Sequence, residues 1–233
     1  MSIKKLTGRI THITDLSTTA KDIEIALPEE LNFVAGQFVN IFMNVGGATV
    51  RRAFSISSSD SIQNMVSISM RESKNGVLSP LFWEKDLTGT HIELMGPLGV
   101  NTGDAMYAPS AYLFAYGVGA GVVKSILDHL IRNGTKKRIV VMTGSRAENE
   151  ILHREYFDSV AKNYPSVEVR HVLSQPEEGS GFRKGYIQDH LDGIDFNSSD
   201  VYACGQEIAC TSLVEKISAQ KPKHCTFIVE AFH

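Results

Sequence analysis

The hydrophobic pattern changes period once along the chain. Up to about residue 105 apolar and polar positions mostly alternate. IEIAL (23–27) and VSISM (66–70) have the period of two that sets one face of a strand on a core. FVNIF (38–42) is a mostly apolar run rich in β formers. Glycine-containing turns, AGQ, VGGA, KNG, LTGT and GPLG, separate such runs. Many short strands at this spacing predict an antiparallel β-barrel. One helix is predicted inside it over VLSPLFWEKDL, from the turn at Asn75 and Gly76 to Leu87.

Beyond Tyr107-Ala108-Pro109 the pattern is different. AYLFAY (111–116) is a continuous apolar strand, followed by a glycine turn and a helix with apolar Val122, Val123, Ile126, Leu127, Leu130 and Ile131. RIVVMTG (138–144) is a second buried strand, and NEILHREYFDSVAKNY (149–164) a second helix. VEVRHVL, GYIQDHL, VYACG, EIACTSLVEKIS and CTFIVEAF continue the alternation. This order predicts a parallel sheet with helices on both faces. The expected architecture is therefore two domains, an antiparallel Greek-key β-barrel over 1–105 and an α/β domain over 106–233, joined near 103–110.

Composition narrows the function classes. With 42% hydrophobic and 21% charged residues the chain has the make-up of a soluble globular protein. A net charge of −3 without a basic block argues against nucleic acid as a partner. The N-terminus lacks an apolar targeting segment and no run approaches a membrane span, so a cytoplasmic location and no membrane partner are expected. Cys204, Cys210 and Cys225 are too few for a disulfide framework and fit no zinc or iron–sulfur spacing. The eight histidines show no catalytic or metal-ligating grouping, so no metal is expected.

Two stretches carry chemistry. Arg51-Arg52-Ala53-Phe54-Ser55-Ile56-Ser57-Ser58-Ser59 puts two guanidinium groups, an aromatic ring and four hydroxyls into nine residues. That suits a nucleotide with a diphosphate and a fused ring. YGVGAGVVKSIL sits between a buried strand and an amphipathic helix, where Gly117, Val118, Gly119 and Ala120 can bring a helix N-terminus against a pyrophosphate. The same glycines also serve a bare tight turn. The next strand ends Thr143-Gly144-Ser145-Arg146, so Ser145 and Arg146 stand where an ordinary dinucleotide fold has a ribose-binding acid. They suit a 2′-phosphate, favouring NADPH over NADH, or simply a loop.

With a barrel first, an α/β domain second and RRAFSIS at the start, the chain resembles the ferredoxin–NADP reductase superfamily, in particular its bacterial oxygenase reductases and NAD(P)H–flavin reductases. AGQF (35–38) is similar to the family's P-G-Q-Y turn, and 52–58 to its R-x-Y-S-x-x-S flavin motif. Residues 76–79 resemble its G-x-x-S turn and 96–99 its G-P-x-G turn. Cys204-Gly205 matches the start of its C-G-P motif, and 230–232 its acidic–x–aromatic ending. The resemblance implies an FAD-binding barrel and an NAD(P)-binding α/β domain. Arg52 would pair with the flavin diphosphate, Ala53 and Phe54 would flank the isoalloxazine, and Ser55 would bond near its N5. Backbone around Ser69 and Met70 would hold the polar edge of the ring. Gly76, Val77, Leu78 and Ser79 would close on the diphosphate from a helix N-terminus, and Phe232 would cover the ring. Cys204 is either a core residue or a thiol against the nicotinamide, beside Gly205. Glu230 is either a proton donor or a salt-bridge anchor.

Several positions depart from the family pattern. Val118 replaces a Thr, Val122 a Pro, Gln206 the Pro of C-G-P, and Phe54 the motif's Tyr. Tyr116, where the family has Gly, either crowds the cleft or points into the barrel interface. The resemblance implies a reductase that passes electrons from NADPH or NADH through FAD to a separate ferredoxin, flavodoxin or oxygenase component. A reductase using free flavin as substrate, and an electron-transfer subunit without nicotinamide activity, remain open. The absence of cluster-binding cysteines implies that any iron–sulfur acceptor is a separate protein.

Overall fold

The computed structural model describes residues 2–232. Among these residues twelve strands form two six-stranded sheets. The first contains β1 (Lys4–Ser17), β2 (Ala20–Ala26), β3 (Phe38–Val45), β4 (Ala48–Ser55), β5 (Met65–Arg71) and, after the single-turn helix α1 (Leu81–Glu84), β6 (His91–Leu98). Every pairing is antiparallel, in the order β4-β3-β6-β1-β2-β5. The outer strands meet where Ile56 bridges Ile68 and the Ser57 amide donates to the Ser67 carbonyl at 2.8 Å, so the sheet curls into a barrel. Inward positions of the alternating runs, Ile23, Ile25, Val39, Ile41, Val66, Ile68 and Met70, fill its core.

The second sheet contains β7 (Ser110–Tyr116), β8 (Arg138–Ser145), β9 (Val167–Leu173), β10 (Arg183–Lys184), β11 (Ser199–Gln206) and β12 (Cys225–Phe232). It is wholly parallel, in the order β10-β9-β8-β7-β11-β12. Helices α2 (Gly119–Arg132) and α3 (Arg154–Asn163) cover one face, and α4 (Glu207–Ser218) with a 3-10 turn over 187–189 covers the other. Alternation within β7 explains this: Ala111, Leu113 and Ala115 pack under α2, while Tyr112 and Phe114 pack on the opposite side. The strand order reverses between β7 and β11, a switch point that leaves a crevice at the carboxyl ends of the strands.

Two expected helices are shorter than the pattern predicts. Instead of 77–87, α1 is one turn, because the preceding loop is held by side chains up to Pro80 and Lys85 already turns to extended backbone. Ser79 Oγ accepts the Ser73 amide at 3.0 Å, and the Gly76 amide donates to the Ser73 carbonyl at 2.8 Å. Instead of 149–164, α3 begins at Arg154, and His153 adopts the left-handed conformation (φ 54°). The segment before it is pulled onto the barrel. Glu150 accepts hydrogen bonds from Ser17, Thr18 and Thr19, and tertiary contact overrides local helix preference. GYIQDHL likewise contains only the 187–189 turn.

The two sheets meet across a polar joint. His129 on α2 faces Asp60 Oδ2 through Nδ1 at 2.6 Å and Asp104 Oδ1 through Nε2 at 2.9 Å. Only the imidazolium donates from both nitrogens. Arg132 also bonds Asp60, and Asp128 accepts from Ser59 at 2.6 Å. The Asp60 hydrogen bond holds the His129 pKa above its ordinary value. Burial pushes Asp60 up, but bonds from His129 and the Ala35 amide hold it below its ordinary value. Among the described residues no helix is long and apolar enough to cross a membrane.

The raised His129 pKa contributes stability below pH 6.5 that is lost as pH rises through the folded value. The lowered Asp60 pKa contributes stability above pH 3.8 that is lost as pH falls through the folded value. His129→Ala leaves a largely buried carboxylate short of a partner and is expected to destabilise by about 2–4 kcal/mol near pH 6, and by less near pH 9. Urea denaturation at both pH values checks this; an equal loss at both would refute the assignment.

Candidate functional site

A cleft of about 1200 Å³ runs between the sheets, large enough for a dinucleotide-sized ligand. The barrel contributes Arg52, Ala53, Phe54 and Ser55 from β4, Ser69, Met70 and Arg71 from β5, and Gly76, Val77, Leu78 and Ser79 from the loop before α1. The parallel sheet contributes Tyr116, Gly117 and Val118 at the end of β7, Ser145 and Arg146 at the end of β8, Gln206 at the end of β11, and Phe232. Every barrel residue expected to hold the flavin is therefore in one wall, and Phe232 faces them from the other.

Local geometry explains these placements. β4 is an edge strand, so Arg51 and Arg52 are exposed, and Arg52 Nη1 donates to the Arg51 carbonyl at 2.8 Å. A Cβ on Gly76 would stand 3.0 Å from Ser73 and 3.1 Å from Ser79 Oγ, so any larger residue would press on the closed loop. The period of two puts Arg71 on the same face of β5 as Ser69. Its Nη1 donates to Thr19 Oγ1 at 2.6 Å and pairs with Glu150 at 3.3 Å. The guanidinium lies 3.6 Å from where a Gly117 Cβ would be. Sequence reading missed Arg71, although this alternation marks it. It also missed Glu150, Tyr186, Gln188 and Ile208, which come from irregular loops and a helix start that share no pattern with the motifs.

Gly117 (φ +56°) turns the chain at the switch point and, with Val118, faces the cleft. Gly119 and Ala120 do not; they are buried in the first turn of α2, with Gly119 pressed against the Cys204 carbonyl. Cys204 also departs from the expected thiol in the cleft. It is fully buried, paired in register with Ala115 on β7 and Glu230 on β12. Burial and the neighbouring Glu230 push the thiol well above its ordinary pKa, which leaves it neutral. Gly205 lies against Tyr116, where a Cβ would collide. The Tyr116 ring packs on Gly144 and its hydroxyl meets Gln188 Oε1 at 3.2 Å, so it forms part of the cleft floor. Arg146 Nε donates to Gln175 Oε1 at 2.9 Å, which holds the guanidinium at the rim.

Glu230 connects the two sheets. It accepts from Ser55 Oγ at 3.3 Å, and the buried Tyr202 hydroxyl, without a direct partner, lies beside it. Burial pushes the carboxyl up to about 7, well above the ordinary carboxylate range.

The donor set fits FAD. Guanidinium groups and the 76–79 backbone suit a diphosphate, Phe54 and Phe232 are flat apolar surfaces, and Ser55 and the β5 backbone offer polar contacts along a ring. Residues 7–102 match the oxidoreductase FAD-binding domain family and residues 113–228 the oxidoreductase NAD-binding domain family. The chain is 28% identical over 215 residues to the phenol hydroxylase P5 protein of Acinetobacter pittii, with 89% of this chain and 60% of that protein covered. It is 29% identical over 219 residues to the phenol 2-monooxygenase reductase component of a Pseudomonas species, covering 89% of this chain and 61% of that protein. It thus spans about three fifths of the length of these relatives. Its fold is shared with the ferredoxin NADP+ reductase of Neisseria gonorrhoeae, solved with bound FAD and NADP (TM-score 0.84, 16% identity, covering 97% of this chain and 98% of that one). The Amycolatopsis cytochrome P450 reductase GcoB is similar in fold (TM-score 0.85, 20% identity, covering 99% and 71%).

A raised Glu230 pKa means that stability is fully present below pH 4.5 and is lost as pH rises through about 7. Glu230→Gln removes that loss. The variant is expected to match the wild type near pH 5 and to exceed it by about 2–3 kcal/mol near pH 8, since a tenfold change in proton affinity is worth roughly 1.4 kcal/mol. Thermal melts at the two pH values decide this; a variant no more stable near pH 8 would rule it out.

Proposed function

Since the chain belongs to the ferredoxin–NADP reductase superfamily and carries its FAD-binding and NAD-binding domains in order, we propose that it takes electrons from NAD(P)H and delivers them to a separate protein acceptor. The acceptor class is a ferredoxin, flavodoxin or oxygenase component, in keeping with relatives named as components of phenol hydroxylation, and the setting is cytoplasmic. Bound FAD supplies the conversion of a two-electron donor into single-electron steps. One observation carries the reading: residues 52–55 and 76–79 of the barrel and the glycine turn at the switch point open into a single cleft.

The working division is a barrel domain over 1–105 and a dinucleotide domain over 106–233. Arg52 neutralises the flavin diphosphate, and the amides of 77–79 bond it through a loop that Gly76 closes, since α1 is too short to contribute a helix dipole. Phe54 and Phe232 cover the ring and exclude water, while the Ser69 and Met70 backbone holds its polar edge. Ser55 orients the ring centre and shares the Glu230 carboxyl, which holds or releases a proton near neutral pH. Val118 presents its amide to the NAD(P) pyrophosphate, Gly117, whose own amide is held by the Gly144 carbonyl, turns the chain there, and Gly119, Ala120 and Gly205 shape that turn from behind. Ser145 and Arg146 read the 2′-phosphate. Cys204 acts by packing, because its thiol does not reach the cleft.

Freshly purified protein is expected to show a bound-flavin spectrum that bleaches on anaerobic addition of NADPH or NADH; protein that neither retains nor binds FAD would sink the reading. Arg52→Ala is expected to weaken FAD binding by about 10- to 100-fold, the worth of one charge-assisted contact, measured by fluorescence titration. Arg146→Ala is expected to raise KM for NADPH at least roughly tenfold while leaving that for NADH nearly unchanged. Equal effects on both would remove the case for 2′-phosphate recognition.

A further inference from the structure

A second cavity of about 210 Å³ lies between the barrel and α2, with Asp22, Glu24, Ser57, Lys124, Asp128 and Tyr156 in its walls. A chain of short hydrogen bonds connects it to the cleft. Ser69 Oγ, in the cleft wall, donates to Asp22 Oδ1 at 3.0 Å, and Ser57 Oγ donates to the same oxygen at 3.0 Å. Ser69 has one proton to give, so at 2.9 Å His153 Nε2 is the donor to Ser69. Burial depresses the His153 pKa to about 3, which keeps that ring neutral and its proton in place. His153 is also one of four described non-glycine residues with positive φ, at 54°, so backbone strain is maintained where its ring meets Ser69. None of Asp22, His153 or Lys124 has a part in the function proposed above.

A single hydrogen bond thus separates a cavity-lining carboxyl from the cleft wall. We propose that Asp22 is a proton-binding site coupled to the charge held in the cleft: when the cofactor there gains electrons from a reductant, a proton from solvent enters through the second cavity and binds the Asp22 carboxylate, and it leaves again when the electrons leave. On the protein no other bond changes, and hydrogen added to the cofactor itself on reduction is separate from this proton. This rests on the flavin reading of the cleft. The physical basis is reciprocal coupling, since negative charge added beyond Ser69 raises the proton affinity of Asp22, and a proton on Asp22 favours the added charge by the same factor.

The surroundings place Asp22 where such coupling is felt. Burial raises its pKa above the ordinary carboxylate value, Glu24 on the same strand raises it further, and Lys124 on α2 together with the two serine hydroxyls opposes both. Lys124 is held at the cavity by the Ser57 carbonyl, 3.3 Å away, and Asp128 on α2 is the remaining acid in its wall.

The test uses flavin-loaded protein reduced stepwise with dithionite between about pH 5 and pH 8. The midpoint potential is read against reference dyes, and proton uptake with a pH indicator in weak buffer. The wild type is expected to show a break in the potential–pH line that is absent in Asp22→Asn, with up to about one proton fewer taken up by the variant per flavin. In Lys124→Gln, where an opposing cation is removed, the break is expected to move to higher pH. Identical lines and identical uptake in Asp22→Asn would overturn the proposal, as would an unmoved break in Lys124→Gln. Protein that binds no flavin overturns the functional reading first and the proposal with it, and the spectrum reports that before any titration.

Discussion

The close seating of α2 on the barrel is the constraint on which the rest of the structure depends. Gly121, in the first turn of α2, lies so near β5 that a Cβ there would collide with Ser69 and press within 2.9 Å of Ser57. Helix and strand therefore meet nearly backbone to side chain, and the distance between the sheets has little room to vary. That spacing sets the width of the cleft. It also brings His153, Lys124 and His129 from the parallel-sheet half against Ser69, Asp22 and Asp60 of the barrel.

Around that contact the joint is polar, which gives it a pH dependence that an apolar interface would lack. His129 held between two carboxylates favours the charged imidazole, while Glu230 buried beside Ser55 favours the neutral acid. Both contributions fade as pH rises, so the two halves are held most firmly on the acidic side of neutrality, down to where Asp60 itself takes a proton. Glu150 adds a third attachment, since its bonds to Ser17, Thr18 and Thr19 tie the loop before α3 to the first β-turn of the barrel. The same carboxylate aims Arg71 at the glycine turn.

The residues lining the cleft divide by how they get there. Arg52, Phe54 and Ser55 are consecutive or alternate on one strand, so their grouping follows from strand geometry and was legible in a nine-residue stretch. Gly117 and Val118 follow from a strand–turn–helix signature. Arg71 was legible in principle, through alternation with Ser69, whereas Glu150, Tyr186 and Gln188 reach the cleft only because separate loops converge there. Cys204 shows the converse: its motif position was recognised, yet its side chain is fully buried in the core, with the first turn of α2 packed against it at Gly119.

By itself the sequence determined the order of strands and helices, the change from an antiparallel to a parallel sheet, and the motifs that identify the superfamily. Each of these rests on short-range periodicity, or on residue types that neighbours in the chain do not alter. The tertiary structure alone decided where the helices over 77–87 and 149–164 stop, because Ser73–Ser79 bonds and contacts between Glu150 or His153 and the barrel override local propensity. It alone decided that Gly121 serves domain packing, that Cys204 is withdrawn from the cleft, and that Asp22 lies between two cavities. Apart from the short Ser73–Ser79 loop, such outcomes depend on distances between residues 35 or more positions apart, and a pattern with a period of two or 3.6 holds no information at that range.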